Sequence, residues 1–257
     1  MTDPTCRFSS KAEKYARYRW DYAPGAIQAV FERVGLNSTS TVADVGSGTG
    51  ILTRHFVDKV RRVYAIEPNP EMRAWSDKTL RHYSAYRSLA GQAEATTLPD
   101  HSVDLVTAAT ALHWFQPEEA RREFIRILKP GGWLAILWNH QVSNKELQSA
   151  IESFSTKEYG WETKPWNARL PRDYEHYFLQ EESFFKANYP QVEECDWEMF
   201  FGAQCSNSYS PDEDHPLYAK YEKAVRAVFN RFNENGRLII HYVTELILGR
   251  IQTDDKR

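Results

Sequence analysis

Apolar positions along this chain change their spacing in a regular way. Residues 10–19 and 24–34 place them at helical intervals, with Pro24 where a helix start tolerates it. TVADVG (41–46) is a short β-branched run closed by glycine, GILTRHFVDKV (50–60) returns to helical spacing, and RVYAIE (62–67) is strand-like again. The pattern then predicts a helix over 70–86, strands over 86–91 and 103–110, a helix over 117–128, a KPGG turn and a strand over 133–138. Continuous apolar strands alternating with helices imply a parallel sheet covered on both faces.

Beyond Trp138 the alternation stops. Residues 143–190 read as helical pieces, loops and prolines without a strand, and strand-like runs return at 196–203 and 237–248, on either side of an amphipathic helix over 214–232. A single α/β domain is therefore expected in four parts: an N-terminal helical cap (1–36), a ligand-binding core (37–142), an inserted aromatic-rich lid (143–190), and C-terminal strands and helix that complete the sheet (191–257).

Composition narrows the class. With 257 residues and 42% apolar content the chain can bury a full core, so extensive disorder is excluded. Its longest purely apolar run, Trp133–Trp138, is far short of the roughly 20 residues that a membrane-spanning helix needs. The first thirty residues are polar, so a cytoplasmic protein with no membrane partner is expected. Cys6, Cys195 and Cys205 have neither disulfide-framework nor metal-site spacing, and no metal is implied. The net charge of -3 divides unevenly, +3 over residues 1–140 and -6 over the remainder, which argues against a nucleic-acid partner. Aromatics make up 14% of the chain, yet ten fall within residues 151–190.

The strongest chemical signal is Asp44-Val45-Gly46-Ser47-Gly48-Thr49-Gly50, between a predicted strand and a predicted helix. Glycines at alternate positions let the backbone turn sharply and lie bare against a ligand at the carboxyl ends of the strands. Ile51 stands where the dinucleotide fingerprint needs its third small residue, and no Gly-Lys-Ser/Thr follows, so the P-loop is excluded. Glu67 ends the next strand, 21 positions after Gly46, the spacing of an acidic residue that accepts from ribose hydroxyls.

VADVGSGTG, AIEPNPEM, GQAEATTLPDHSVDLV, ALHWF and LKPGG together resemble the class I S-adenosylmethionine-dependent methyltransferases, especially the small-molecule branch similar to trans-aconitate and ubiquinone-biosynthesis methyltransferases. That resemblance implies a doubly wound, Rossmann-like, seven-stranded and mostly parallel sheet with an antiparallel C-terminal addition. It implies that Gly46, Ser47 and Gly48 line the methionine moiety of S-adenosylmethionine and that Glu67 binds its ribose. Pro68 and Met72 would cover the adenine, Ala93 and Glu94 would meet the adenine edge, and the backbone of Thr110 would face the cofactor. Glu94 also reads as a helix-start carboxylate. In FSSKAEKYARYR, Tyr15 and Arg19 are candidates to cap the cofactor, since a guanidinium matches its carboxylate.

His113, in Leu112-His113-Trp114-Phe115, reads both as a general base and as a packed wall residue. Trp114, Trp138, Asn139, Trp161 and Trp166 are candidates for an acceptor pocket, and His140, Arg169, Arg172 and His176 for recognising an acidic group. The expected activity is in-line methyl transfer to an oxygen, nitrogen or carbon of a small, partly apolar acceptor, with alignment and desolvation dominating. A tRNA or protein methyltransferase and a non-catalytic S-adenosylmethionine-binding protein share the cofactor motifs and stay open at this point.

Overall fold

The computed structural model describes residues 9–143, 145–153, 172–178, 184–208 and 210–251. The helices are α1 (Ala12–Tyr18), α2 (Pro24–Val34), α3 (Pro70–Leu80), α4 (Pro117–Ile127), α5 (Lys145–Ser153), α6 (Trp197–Cys205) and α7 (Tyr218–Phe232). The strands are β1 (Thr41–Val45), β2 (Arg62–Ile66), β3 (Tyr86–Leu89), β4 (Val103–Ala109), β5 (Leu128–Gln141), β6 (Phe184–Cys195) and β7 (Leu238–Arg250). They form one seven-stranded sheet in the order β3-β2-β1-β4-β5-β7-β6. The first five run parallel, and β7 lies antiparallel between β5 and β6. Strand order reverses between β1 and β4, where an open α/β sheet leaves a crevice beyond its carboxyl ends.

Burial on both faces explains the uninterrupted apolar strands. One face packs Val42, Val63, Leu105 and Leu137 against α2 and Phe56; the other packs Val45, Val106 and Ile136 against Phe124 and Ile127 of α4. A third cluster joins α5, α6 and α7 to the far ends of β6 and β7 through Phe200, Tyr221, Val225 and Tyr242. Among the described residues no helix is long and apolar enough to cross a membrane.

Three sequence expectations are corrected. Residues 51–60 bury Leu52, Phe56, Val57 and Val60 at helical spacing, but the backbone forms turns and a short 3-10 segment, Thr53–His55. The N–H groups of His55, Phe56 and Lys59 bond three residues back, and the Thr53 hydroxyl is turned to Asp44 Oδ2 at 2.6 Å, which ties the segment to β1. Residues 196–203 are helical rather than extended, because Asp196 caps α6 by accepting from Met199 N at 2.9 Å and Trp197 stacks on Phe201 one turn later. The missing strand, β6, instead occupies Phe184–Cys195, mainly within the part read as a lid without strands. As the edge strand it tolerates Pro190.

The segment linking α1 to α2 is fastened to the opposite end of the chain. Ala23 N donates to Thr244 Oγ1 at 2.8 Å, and that hydroxyl donates to Asn139 Oδ1 at 2.6 Å. Asn139 Nδ2 and Gln191 Nε2 both donate to the carbonyl of Asp21, at 2.9 and 2.8 Å. Side chains from β5, β6 and β7 thus seat residues 21–23. Thr244 is fully buried, so Thr244→Val should leave a buried N–H unpaired and lower unfolding stability by about 1–3 kcal/mol in urea titrations; an unchanged midpoint would contradict this seating role.

Candidate active site

The crevice is built around a carboxylate. Glu67 ends β2 buried, and its Oε2 accepts from Gly48 N at 2.9 Å while Oε1 accepts from Asn69 N at 2.9 Å. One side chain thus joins the loop after β1 to the start of α3. Asn69 caps that helix by accepting from Met72 N, and Arg73 reaches back to the carbonyls of Glu67 and Pro68 at 2.6 and 2.7 Å. Burial raises the carboxyl of Glu67, and the N–H groups of Asn69 and Gly48 together with the Arg73 charge pull it back down. Each of its oxygens keeps a second lone pair for a further donor.

The glycine loop has the openness its composition promised. Gly46 has φ +68, and a Cβ on it would stand 2.6 Å from that of Ala111. Gly48 has φ +55 and open space where a Cβ would be, so its backbone borders the crevice directly. Between and beside them, the hydroxyls of Ser47 and Thr49 are buried without a hydrogen-bond partner. Buried hydroxyls are normally paired, so this loop has unused capacity for a polar ligand.

Asp44 supports the loop from below. It is buried and accepts from Thr53 Oγ1 at 2.6 Å and Thr107 Oγ1 at 2.7 Å. Burial nevertheless pushes its carboxyl up to about 6. Thr110, just past β4, has φ +54, uncommon for a β-branched residue, with its N–H on Leu137 O and its hydroxyl 3.0 Å from that of Tyr22.

The other sequence candidates separate. Met72 and Ala93 are buried and Pro68 half-buried along the β2 and β3 side of the crevice. Glu94 Oε1 accepts from Gln116 N at 2.6 Å, capping the start of α4, the structural reading foreseen for it. Arg19 stacks over Tyr15 and donates to Asn207 Oδ1 at 2.7 Å, which ties α1 to the turn after α6. His113 lies against Trp114 and Trp138, with ring centroids 4.7 and 5.0 Å from its own, forming an aromatic wall just past the end of β4 and beside the carboxyl-terminal part of β5. Asn139 does not join that wall. Neighbouring strand residues face opposite sides, and its amide is committed to Asp21 and Thr244, so it is corrected from a pocket residue to a seat for residues 21–23. His140 lies 3.4 Å from Glu245, which also holds Lys186, and His176 is exposed. Trp161, Trp166 and Arg169 lie outside the described residues, as does the side chain of Arg172.

Sequence reasoning missed Tyr22 and Arg73. Arg73 could have been found from its position one turn into a helix that starts beside Glu67; nothing local marked Tyr22, whose partner Thr110 is 88 residues away. Among the described residues no group of three or more His, Cys, Asp or Glu side chains could hold a metal ion.

Residues 43–136, from β1 to the middle of β5, match the model of a methyltransferase domain. Over that region the chain is similar to methyltransferases. An uncharacterized methyltransferase of Schizosaccharomyces pombe is 35% identical to it over 133 residues, 51% of this chain and 52% of the relative. A ubiquinone/menaquinone biosynthesis C-methyltransferase of Pseudomonas aeruginosa is 33% identical over 160 residues, 58% of this chain and 62% of the relative. The matched region thus spans about half to three-fifths of these curated relatives. In fold, the chain resembles a solved structure described as a type II methyltransferase from Anaeromyxobacter dehalogenans, with a TM-score of 0.63 over 90% of this chain and 97% of that one, at 20% identity.

The buried Asp44 makes a stability prediction. Its folded value of about 6 exceeds its ordinary 3.8, so the native state holds the proton more tightly than the unfolded chain. That contribution is complete below about pH 4 and is lost as pH rises through about 6, a change of up to about 3 kcal/mol. Asp44→Asn has no such loss. The stability difference should therefore move by up to about 3 kcal/mol in favour of the variant between acid and neutral pH, measured by denaturant unfolding; a pH-independent difference would overturn the assignment.

Proposed function

We propose that this methyltransferase binds S-adenosylmethionine in the crevice between β1 and β4 and methylates a small, partly apolar acceptor held against the His113, Trp114 and Trp138 wall. The observation that carries the reading is the Glu67 bridge, at the mouth of a loop whose Ser47 and Thr49 hydroxyls lack partners. The residues suit the cofactor. Two lone pairs of Glu67 remain for ribose hydroxyls, Gly48 offers bare backbone, and Met72 and Ala93 are apolar boundaries for a flat base. Pro68 is assigned to the same apolar cover, Gly46, Ser47 and Gly48 to the methionine moiety, and Tyr15 and Arg19 to closing its carboxylate end.

S-adenosylmethionine supplies a methyl group made electrophilic by a positively charged sulfur. The protein's task is then to hold an acceptor in line and dry, which is worth more here than proton chemistry. Aromatic surfaces of Trp114 and Trp138 exclude water, and the imidazole of His113, held between them, is a wall group with the chemistry of a base. A small-molecule acceptor accords with the Pseudomonas relative, a ubiquinone/menaquinone biosynthesis C-methyltransferase.

Calorimetric titration with S-adenosylmethionine tests the cofactor assignment. Glu67→Ala should weaken binding by roughly one to two orders of magnitude, the equivalent of losing a charged acceptor for ribose hydroxyls; equal affinity would sink it. Once an acceptor is found, His113→Ala that keeps full turnover across the pH range would exclude the imidazole as an essential base and leave it as wall alone.

A further inference from the structure

The loop after β3 is stitched to α4 along its length. Thr96 donates its N–H and its hydroxyl to Glu123 Oε1, and Asp100 accepts from Arg126 at 2.6 Å. The N–H groups of His101 and Ser102 reach the carbonyls of Arg126 and Ile127. These contacts pin the last two turns of α4, where Phe124 and Ile127 are also buried. The first turn is held differently: Gln116, at its start, donates its N–H to Glu94 Oε1 at 2.6 Å. Sheet order gives that bond its place. β2 and β1 lie between β3 and β4, so a bond from the loop after β3 to the turn after β4 spans the ends of the strands that hold Glu67 and the glycine loop. Glu94 and Gln116 thereby close the crevice on its α4 side.

We infer that Glu94 is a positioning residue for the aromatic wall: through the Gln116 N–H it passes occupancy of the base-binding side of the crevice to the turn carrying His113 and Trp114. The inference rests on the cofactor reading proposed above, in which buried Ala93 bounds the base. A base seated against Ala93 brings its edge to the next side chain. Glu94 is half-buried, and its second oxygen has lone pairs to offer. A carboxylate that serves a ligand donor as well as Gln116 has to turn to satisfy both, and the short bond to Gln116 makes the helix start follow.

The receiving element is small enough to move as a unit. Leu112–Trp114 form a single 3-10 turn, with Trp114 N on Ala111 O and Phe115 N on Leu112 O. Gly46 closes on it: a Cβ there would stand 2.6 Å from that of Ala111 and 3.3 Å from Phe115 Cζ. The turn is thus clasped by the glycine loop, at Ala111 and Phe115, and by Glu94, at Gln116, while His113 and Trp114 occupy the intervening positions. Coupling of this kind is reciprocal. An acceptor that prefers the wall arrangement favoured by a filled base side tightens the cofactor in return.

Gln116→Pro isolates the link. Gln116 has φ -83, and Phe115 before it is extended with ψ 154, so proline fits the backbone and deletes the donor while leaving the Glu94 carboxylate in place. The probe is S-adenosylhomocysteine, with the protein labelled by 5-fluorotryptophan and the Trp114 19F resonance assigned through Trp114→Phe. In wild type, saturating ligand should shift that resonance. In Gln116→Pro, calorimetry should find affinity within about threefold of wild type while the shift falls below about half. Glu94→Ala should lose the shift as well, and supplies the test if Gln116→Pro does not fold. Shifts in the variants equal to that of wild type, or none in wild type with ligand bound, would overturn the coupling and leave cofactor binding intact. Failure of the wild type to bind S-adenosylhomocysteine would instead overturn the cofactor reading, and the inference with it.

Discussion

A buried carboxylate must find donors, and in this protein that demand organises the crevice. Glu67 could be placed in the interior only because two backbone N–H groups, on Gly48 and Asn69, converge on it. Satisfying both fixes the loop after β1 relative to the helix after β2, and so sets the width of the opening between them. The left-handed backbone at Gly46 and Gly48, the Asn69 cap and the reach of Arg73 are each conditions for that convergence. A polar interaction that contributes modestly to folding thus determines geometry over a large part of the ligand-facing surface.

β5 divides the molecule's labour by alternation. Its even-numbered residues at the carboxyl end, Trp138 and His140, face the side of α4 and the aromatic wall, whereas Asn139 faces α2 and serves the N-terminal connection. β7 repeats the division, with Thr244 on the seat of residues 21–23 and Glu245 beside His140 and Lys186. Pleating therefore separates the residues that hold the chain's beginning in place from those that line the wall, although they are adjacent in sequence.

Much of this was legible before any coordinates, and the exceptions have physical causes. The central strands β1, β4 and β5 are buried on both faces and announce themselves as continuous apolar runs. Periodicity reports burial rather than hydrogen bonding, so residues 51–60 show a helical face while the N–H groups of His55, Phe56 and Lys59 bond three residues back. β6 hid for the opposite reason: it runs at the sheet edge, and its alternation is between exposed and half-buried positions with polar residues on both sides. In α6 the aromatic residues suggested extension, and the decisive signal was a single cap, Asp196. In the crevice, Gly46, Gly48 and Glu67 were readable because their spacing is local. Asn139 and Tyr22 acquire their roles from partners 88 to 118 residues away, and no local pattern encodes such meetings.

The bond from Ala23 to Thr244 spans 221 positions. A chain emerging from the ribosome can assemble the glycine loop, the Glu67 bridge and the parallel strands well before β7 exists, but the anchorage of its own first helices waits for nearly the last strand. The crevice and the full fastening of residues 21–23 therefore mature at different times. Until β7 inserts between β5 and β6, the Ala23 N–H lacks its acceptor, and Asp21 has only the amides of Asn139 and Gln191 to hold its carbonyl.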